Sequence, residues 1–220
     1  MKDNLTEIVF ILDESGSMQS LANDTIGGFN SYVEEQKKEP GEAYMTTVLF
    51  DDRYIVLHDH VNIQDVPPLT RREYSPLGMT ALMDAIGKTI NSVGQRLSST
   101  PEEERPAHVI FVITTDGYEN DSKEFTRAKV KEMIEHQQTK YSWQFLFLGA
   151  GIDAYQEAES IGIGGVHTMS ASHSSFGAQS IYTSVSNASK AVRSSYCVTD
   201  CLKDESWKTG DLGRGNTGNA

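Results

Sequence analysis

Glu7-Ile-Val-Phe-Ile-Leu-Asp-Glu-Ser-Gly-Ser17 is the stretch from which the fold is read. Up to Leu12 it is a short continuous apolar run, the pattern of a strand buried on both faces of a parallel sheet. From Asp13 to Ser17 turn-forming residues break that run. A helical stretch follows, with Leu21, Ile26, Phe29 and Val33 near one stripe, ending before Pro40-Gly41. The same succession returns later in the chain. His108-Val-Ile-Phe-Val-Ile113 is a second fully apolar run, stopped by Thr114-Thr-Asp-Gly117, and a helix carrying Phe125, Val130, Met133 and Ile134 is expected after it.

Between these two units, Tyr44–Phe50 reads as a strand, Asp51-Asp52 as a turn and Tyr54–Leu57 as a strand paired back in a hairpin. A loop around Pro67-Pro68 leads to the polar turn Ser75-Pro-Leu-Gly-Met-Thr80. Leu82, Ile86, Ile90, Val93 and Leu97 then recur at helical spacing. Beyond the second unit come a strand over Trp143–Leu148, a short helix over Tyr155–Ile161 and a last strand over Val166–Met169. A Ser-rich closing helix keeps Ile181, Val185, Ala188 and Val192 on one side, with no evident anchoring cluster. The alternation predicts an α/β fold: a doubly wound, mostly parallel sheet with one antiparallel edge strand and helices on both faces. Residues 1–200 form the expected domain, and 201–220 a Gly-rich tail expected to be disordered.

Composition narrows the partners. The 220 residues carry 31 acidic and 19 basic side chains, a formal net charge of −12, and the basic doublets Lys37-Lys38 and Arg71-Arg72 stand alone. Duplex nucleic acid and anionic membranes repel such a surface. The two cysteines, Cys197 and Cys201, make no disulfide framework. No segment has the length of a signal peptide's apolar region or of a membrane span, so a cytoplasmic protein is expected.

In doubly wound sheets ligands bind beyond the carboxyl ends of the strands, where the strand order reverses. Three polar loops are expected there: Asp13-Glu-Ser-Gly-Ser17, Gly78-Met-Thr80 and Thr115-Asp-Gly117. If the two apolar runs are neighbouring strands, Asp13 and Asp116 meet, and two buried carboxylates repel unless a positive charge joins them. A divalent cation supplies it. Hydroxyls of Ser15, Ser17 and Thr80, with the carboxylates of Asp13 and Asp116, form an all-oxygen set suited to a hard cation: Mg²⁺ first, with Mn²⁺ or Ca²⁺ as alternatives. Incomplete protein coordination leaves a position for an incoming carboxylate.

Asp13-Glu-Ser-Gly-Ser17 resembles the D-x-S-x-S signature of the metal-ion-dependent adhesion site in von Willebrand factor type A domains. Gly78-Met-Thr80 resembles that family's threonine loop, and Thr115-Asp-Gly117 its last aspartate motif. All three occur in the family's order, and the resemblance spans roughly residues 5–196. It implies that Ser15, Ser17 and Thr80 contact the ion directly, with Asp13 and Asp116 partly water-mediated. It also implies a protein-binding module that grips an acidic residue of a partner, in multi-protein assemblies that include partnerships with ATPases.

Each loop also has a plainer reading, in which Ser15, Ser17 or Thr80 caps a helix and Asp116-Gly117 is only a turn. His58 and His60 would share one face of a strand near an exposed edge, a weak metal signal. Catalysis is not expected. Ser15 stands where a D-x-D phosphotransferase places its second acid, and no G-x-x-x-x-G-K, G-x-S-x-G or G-x-G-x-x-G pattern occurs at these loops. A Mg²⁺-dependent phosphatase with Asp13 as nucleophile, and a fold in which the metal is mainly structural, are the alternatives.

Overall fold

The computed structural model describes the backbone of residues 1–171 and 175–194, and the side chains of those residues outside 171–180. Six strands form one sheet: β1 (Lys2–Asp13), β2 (Glu42–Phe50), β3 (Tyr54–Asn62), β4 (Pro106–Thr115), β5 (Gln144–Ala150) and β6 (Thr168–Ala171). Among the described residues five α-helices accompany them: α1 (Ala22–Lys37), α2 (Leu82–Ser99), α3 (Arg127–Tyr141), α4 (Ala154–Ser160) and α5 (Ser175–Ser194). The strand order is β3-β2-β1-β4-β5-β6. Every pairing is parallel except the β2–β3 hairpin, which puts one antiparallel strand at an edge. The expected architecture is the one observed.

Strand β1 is central because both its faces are apolar. Ile8, Phe10 and Leu12 join the core under α1 and α5, whereas Val9 and Ile11 join the core under α2, α3 and α4. Each fully buried side chain of this size contributes about 1.5–3 kcal/mol. The chain winds outward from β1 through β2 to β3, then returns to β1's other side for β4. Strand order therefore reverses between β1 and β4, and their carboxyl ends carry Asp13 and Thr115-Asp116.

Several local expectations change. β1 begins at Lys2, because Lys2 pairs with Pro106 and donates to the Arg105 carbonyl at 2.8 Å. Phe125 precedes α3 rather than lying on it. Thr126 caps that helix by accepting from the Lys129 N–H, and the Phe125 ring packs where Gly87 of α2 lacks a side chain. β6 starts at Thr168, after a 3₁₀ turn over Gly165–His167. His58 and His60 do not alternate regularly: the β2–β3 register slips between Thr47 and Met45, and His60 adopts φ 52°. Such an extra residue is a bulge that re-aims a side chain.

Helix α5 is anchored, contrary to the sequence expectation. Beside Ile181, Val185, Ala188 and Val192, its Ser186 and Ser189 are buried and hydrogen-bonded to α1. Tyr32 Oη donates to Ser189 Oγ at 2.9 Å, and Gln36 Nε2 donates to the Ser186 carbonyl and hydroxyl at 3.2 and 3.1 Å. Lys190 bridges Glu35 and Glu39. No helix among the described residues is long and apolar enough to cross a membrane. Cys197, Cys201 and the Gly-rich tail lie outside the described residues.

Candidate metal centre

The first loop leaves β1 at Asp13 and turns at once into a 3₁₀ helix, Gly16–Ser20. Asp13 drives that turn: its Oδ1 accepts from the Ser15 N–H at 2.7 Å. Oδ2 accepts from the Thr115 hydroxyl at 2.6 Å, which ties β1 to β4 across the crevice. The Asp13 backbone carbonyl accepts from the buried Tyr74 hydroxyl at 2.5 Å. Asp13, Ser15, Thr80 and Asp116 are all buried, whereas Ser17 is exposed at the mouth.

Backbone bonds lock the three loops together. Glu14 N–H donates to the Phe50 carbonyl, Leu77 N–H to that of Glu14, and Gly16 N–H to that of Gly78, at 2.6, 2.8 and 3.1 Å. Gly78 has φ +81°, and a side chain there would run into the Asp52 carboxylate, so only glycine fits this close passage. Thr80 and Asn120 exchange bonds: Thr80 N–H donates to Asn120 Oδ1 at 2.9 Å, and Asn120 N–H donates to the Thr80 carbonyl at 3.0 Å. Asp84 on α2 accepts from the N–H groups of Lys123, Glu124 and Phe125. The third loop is thereby docked on the first turn of α2.

Within this frame the five expected residues converge. Ser15 Oγ and Ser17 Oγ are 3.1 Å apart, and Ser17 Oγ donates to Asp116 Oδ1 at 2.5 Å. Thr80 joins them over Gly117. A Cβ placed on Gly117 would lie 3.3 Å from Thr80 Oγ1 and 3.4 Å from Ser17 Oγ. The plainer capping readings are not what the geometry shows for Ser15 and Thr80. Ser15 precedes the 3₁₀ turn without a side-chain cap bond, and Ala81, not Thr80, occupies the α2 cap position.

Burial pushes the Asp13 carboxyl up to about 6 from its ordinary 3.8. Hydrogen bonds from Thr115 and Ser15 oppose the rise, and the neighbouring Asp116 charge adds to it. Both oxygens of Asp13 are thus served by neutral donors. The donor set fits a hard divalent cation: two carboxylates bring charge, three hydroxyls bring neutral oxygen, and Gly117 adds no side chain beside Thr80 Oγ1 and Ser17 Oγ. Among the described residues there is no cluster of three or more His, Cys, Asp or Glu side chains suited to a metal. Three of the five candidate donors here are hydroxyls, those of Ser15, Ser17 and Thr80.

Sequence reasoning missed the residues that hold the site from behind. Thr115 was noted only as part of a motif, though its hydroxyl positions Asp13. Asp51, read as a turn residue, is buried, binds Arg53 and accepts from the Ala81 N–H through its backbone carbonyl. Glu14 is buried, accepts from the Ser75 N–H at 2.6 Å, and burial raises its carboxyl. Tyr74 and Asn120 carry no spacing signal, because their partners lie 61 and 40 residues away.

No protein-family model matches the chain, and no curated protein sequence does. Solved structures do. Proximal thread matrix protein 1 from the mussel byssus, in the form with a zinc-occupied MIDAS motif, superposes with a TM-score of 0.59 and 19% identity. That match covers 84% of this chain and 46% of that one. A von Willebrand factor type A protein from Catenulispora acidiphila gives 0.57 at 14% identity, over 84% and 42% of the two chains. Manganese-loaded TRAP protein from Plasmodium vivax gives 0.54 at 14% identity, over 79% and 70%. The chain spans less than half the length of the first two structures. The doubly wound sheet, its antiparallel edge and these superpositions together show that the chain has the fold of von Willebrand factor type A domains.

Proposed function

We propose that the chain is a divalent-metal-dependent protein-binding module that engages an acidic residue of a partner protein. One observation carries this reading. Two buried carboxylates and three hydroxyls, from three loops, converge where the strand order reverses, beside a glycine that puts no side chain against Thr80 Oγ1 and Ser17 Oγ. The zinc- and manganese-loaded neighbours of the same fold support a cation at this place.

Ser15, Ser17 and Thr80 would hold the ion by their hydroxyls, and Asp13 and Asp116 would balance its charge. A divalent cation bound there supplies an electrophilic position for an incoming carboxylate, with Mg²⁺ proposed over Mn²⁺ or Ca²⁺. The chain's own residues do the rest. Thr115 and the Ser15 N–H fix the Asp13 carboxylate, and Asp116 holds the Ser17 hydroxyl in place. Burial keeps competing water away from all but the mouth. The resulting contact is a charge-assisted one in a partly dry cleft, surrounded by ordinary surface complementarity. Binding rather than catalysis is proposed, because Ser15 stands where a nucleophilic aspartate site would need a second acid. A cytoplasmic assembly, such as one built with an ATPase, is the proposed setting.

Calorimetric titration of Mg²⁺ and Mn²⁺ into chelator-stripped protein tests this, beside Ser15→Ala/Ser17→Ala. One saturable site, lost in the double variant while its fold persists by circular dichroism, is expected. Unchanged binding in that variant would place the cation elsewhere and remove the basis of the proposal.

A further inference from the structure

The mouth of the site is not polar throughout. Leu77 and Met79, on the second loop, are 69% and 51% exposed, and Tyr118, on the third, is 55% exposed. Large apolar side chains so exposed are ordinary when scattered, but these three sit immediately beside the proposed cation donors. Leu77 N–H is bonded to the Glu14 carbonyl, one residue from Ser15, and Met79 precedes Thr80. Tyr118 follows Gly117, and its hydroxyl accepts from the Asp153 N–H at 3.3 Å, next to α4. Beyond the strand ends, Leu77 and Gly78 contact the residues that follow β1 and β2, whereas Tyr118 follows β4 and contacts Asp153 after β5. The apolar groups therefore flank the hydroxyl triad on two sides.

The polar remainder of the mouth is acidic. Asp52 is exposed beside Gly78, and Asp121, half-buried, lies three residues after Tyr118, whereas Glu119 turns its carboxylate to the N–H groups of Met83, Asp121 and Ser122. Lys123 pairs with Asp121 and Arg53 with Asp51, so the nearby cations are engaged. An incoming carboxylate with further acids beside it would meet like charge on both flanks. One with apolar neighbours would place them on Leu77, Met79 and Tyr118, which are rigidly attached to the hydrogen-bonded loops.

We infer that this rim selects a partner segment in which the acidic residue lies between two apolar side chains. The inference rests on the metal-dependent reading above. It assigns the metal and carboxylate to registering the segment, and the apolar flanks to discriminating one acidic segment from another.

A peptide array separates the two. Segments with every X-Asp-Z centre, and matched X-Asn-Z centres, in a Gly/Ser frame are probed with the labelled full chain in Mg²⁺ and in chelator. Apolar X and Z should bind about tenfold better than serine, only in the Asp series and only with Mg²⁺. Leu77→Ser/Met79→Ser, and separately Tyr118→Ser, should lose that preference while the Mn²⁺ titration stays as in the parent protein. Mg²⁺-dependent binding of Asp peptides indifferent to X and Z would overturn the rim and leave the metal reading standing. Binding that follows X and Z without regard to Asp or Mg²⁺ would overturn the metal reading, and with it the inference as stated. An array blank in both series also overturns the inference, and the Mn²⁺ titration then decides the metal reading by itself.

Discussion

Two buried carboxylates on one strand are treated in opposite ways. Glu7 and Asp13 both lie on β1, on the face turned toward α2, and are 1% and 0% exposed. Glu7 is surrounded by partners from this chain. Arg96 on α2 reaches Oε1 at 2.6 Å, Thr46 donates to the same oxygen at 3.0 Å, and His60 Nδ1 lies 2.8 Å from Oε2. The β3 bulge aims His60 there, and Tyr44 stacks on its ring at 4.3 Å. Asp13 has only neutral donors and a second carboxylate for company, and burial raises it to about 6. A charge serving the fold is neutralised from within the chain. One left facing another acid costs stability unless something positive joins it, as the proposed cation would.

Breaking the Glu7 side should have the largest effect. Arg96→Met leaves a buried glutamate short of its principal cation and should destabilise the protein by about 3 kcal/mol. Urea unfolding should show this loss equally in Mg²⁺ and in chelator. A loss that depends on Mg²⁺ would mean the two carboxylates are not independent.

Asp13 predicts the reverse sign. Its folded pKa of about 6 exceeds the ordinary 3.8, so the proton is held more tightly in the folded chain. In metal-stripped protein its contribution is fully present below about pH 4 and is lost as pH rises through 6. At pH 7.5 Asp13→Asn should therefore stabilise the stripped protein by up to about 3 kcal/mol, read by urea unfolding. The same variant should no longer gain stability from added Mg²⁺. Destabilisation in chelator would show that the hydrogen bonds to the ionised group outweigh its burial.

Gly117→Ala sharpens the comparison at the site alone. The added methyl crowds Thr80 Oγ1 and Ser17 Oγ, so Mn²⁺ affinity by calorimetry should fall about tenfold, roughly 1.4 kcal/mol, with the unfolding midpoint in chelator nearly unchanged. His60→Gln should have the smallest effect, about 0.5–1 kcal/mol of stability, because Arg96 still serves Glu7 and the His60 side chain is 39% exposed.

The same contrast explains what was legible in the sequence. The strand cores of β1 and β4 and the polar turns that end them are legible because their signals are local: an apolar run followed by a polar turn needs no knowledge of neighbours. Glu7 looked like the mere edge of an apolar run, since its partner Arg96 is 89 residues away. The serines of α5 give no sign of an anchor, yet Ser186 and Ser189 are buried because Gln36 and Tyr32 of α1 supply their hydrogen bonds. Phe125 fits a helical period, but Thr126 behind it caps the helix and turns the ring toward Gly87. Long-range partners decided every one of these, and none leaves a mark in spacing.

Manganese offers the most direct measurement, because its absorption edge locates it without reference to the protein. Crystals soaked in Mn²⁺ should show one anomalous peak at the manganese edge, within coordinating distance of the Ser15, Ser17 and Thr80 hydroxyls and in front of Asp116. A well-ordered chain with no peak there, or with its strongest peak elsewhere, would contradict the assignment of these five residues to a cation.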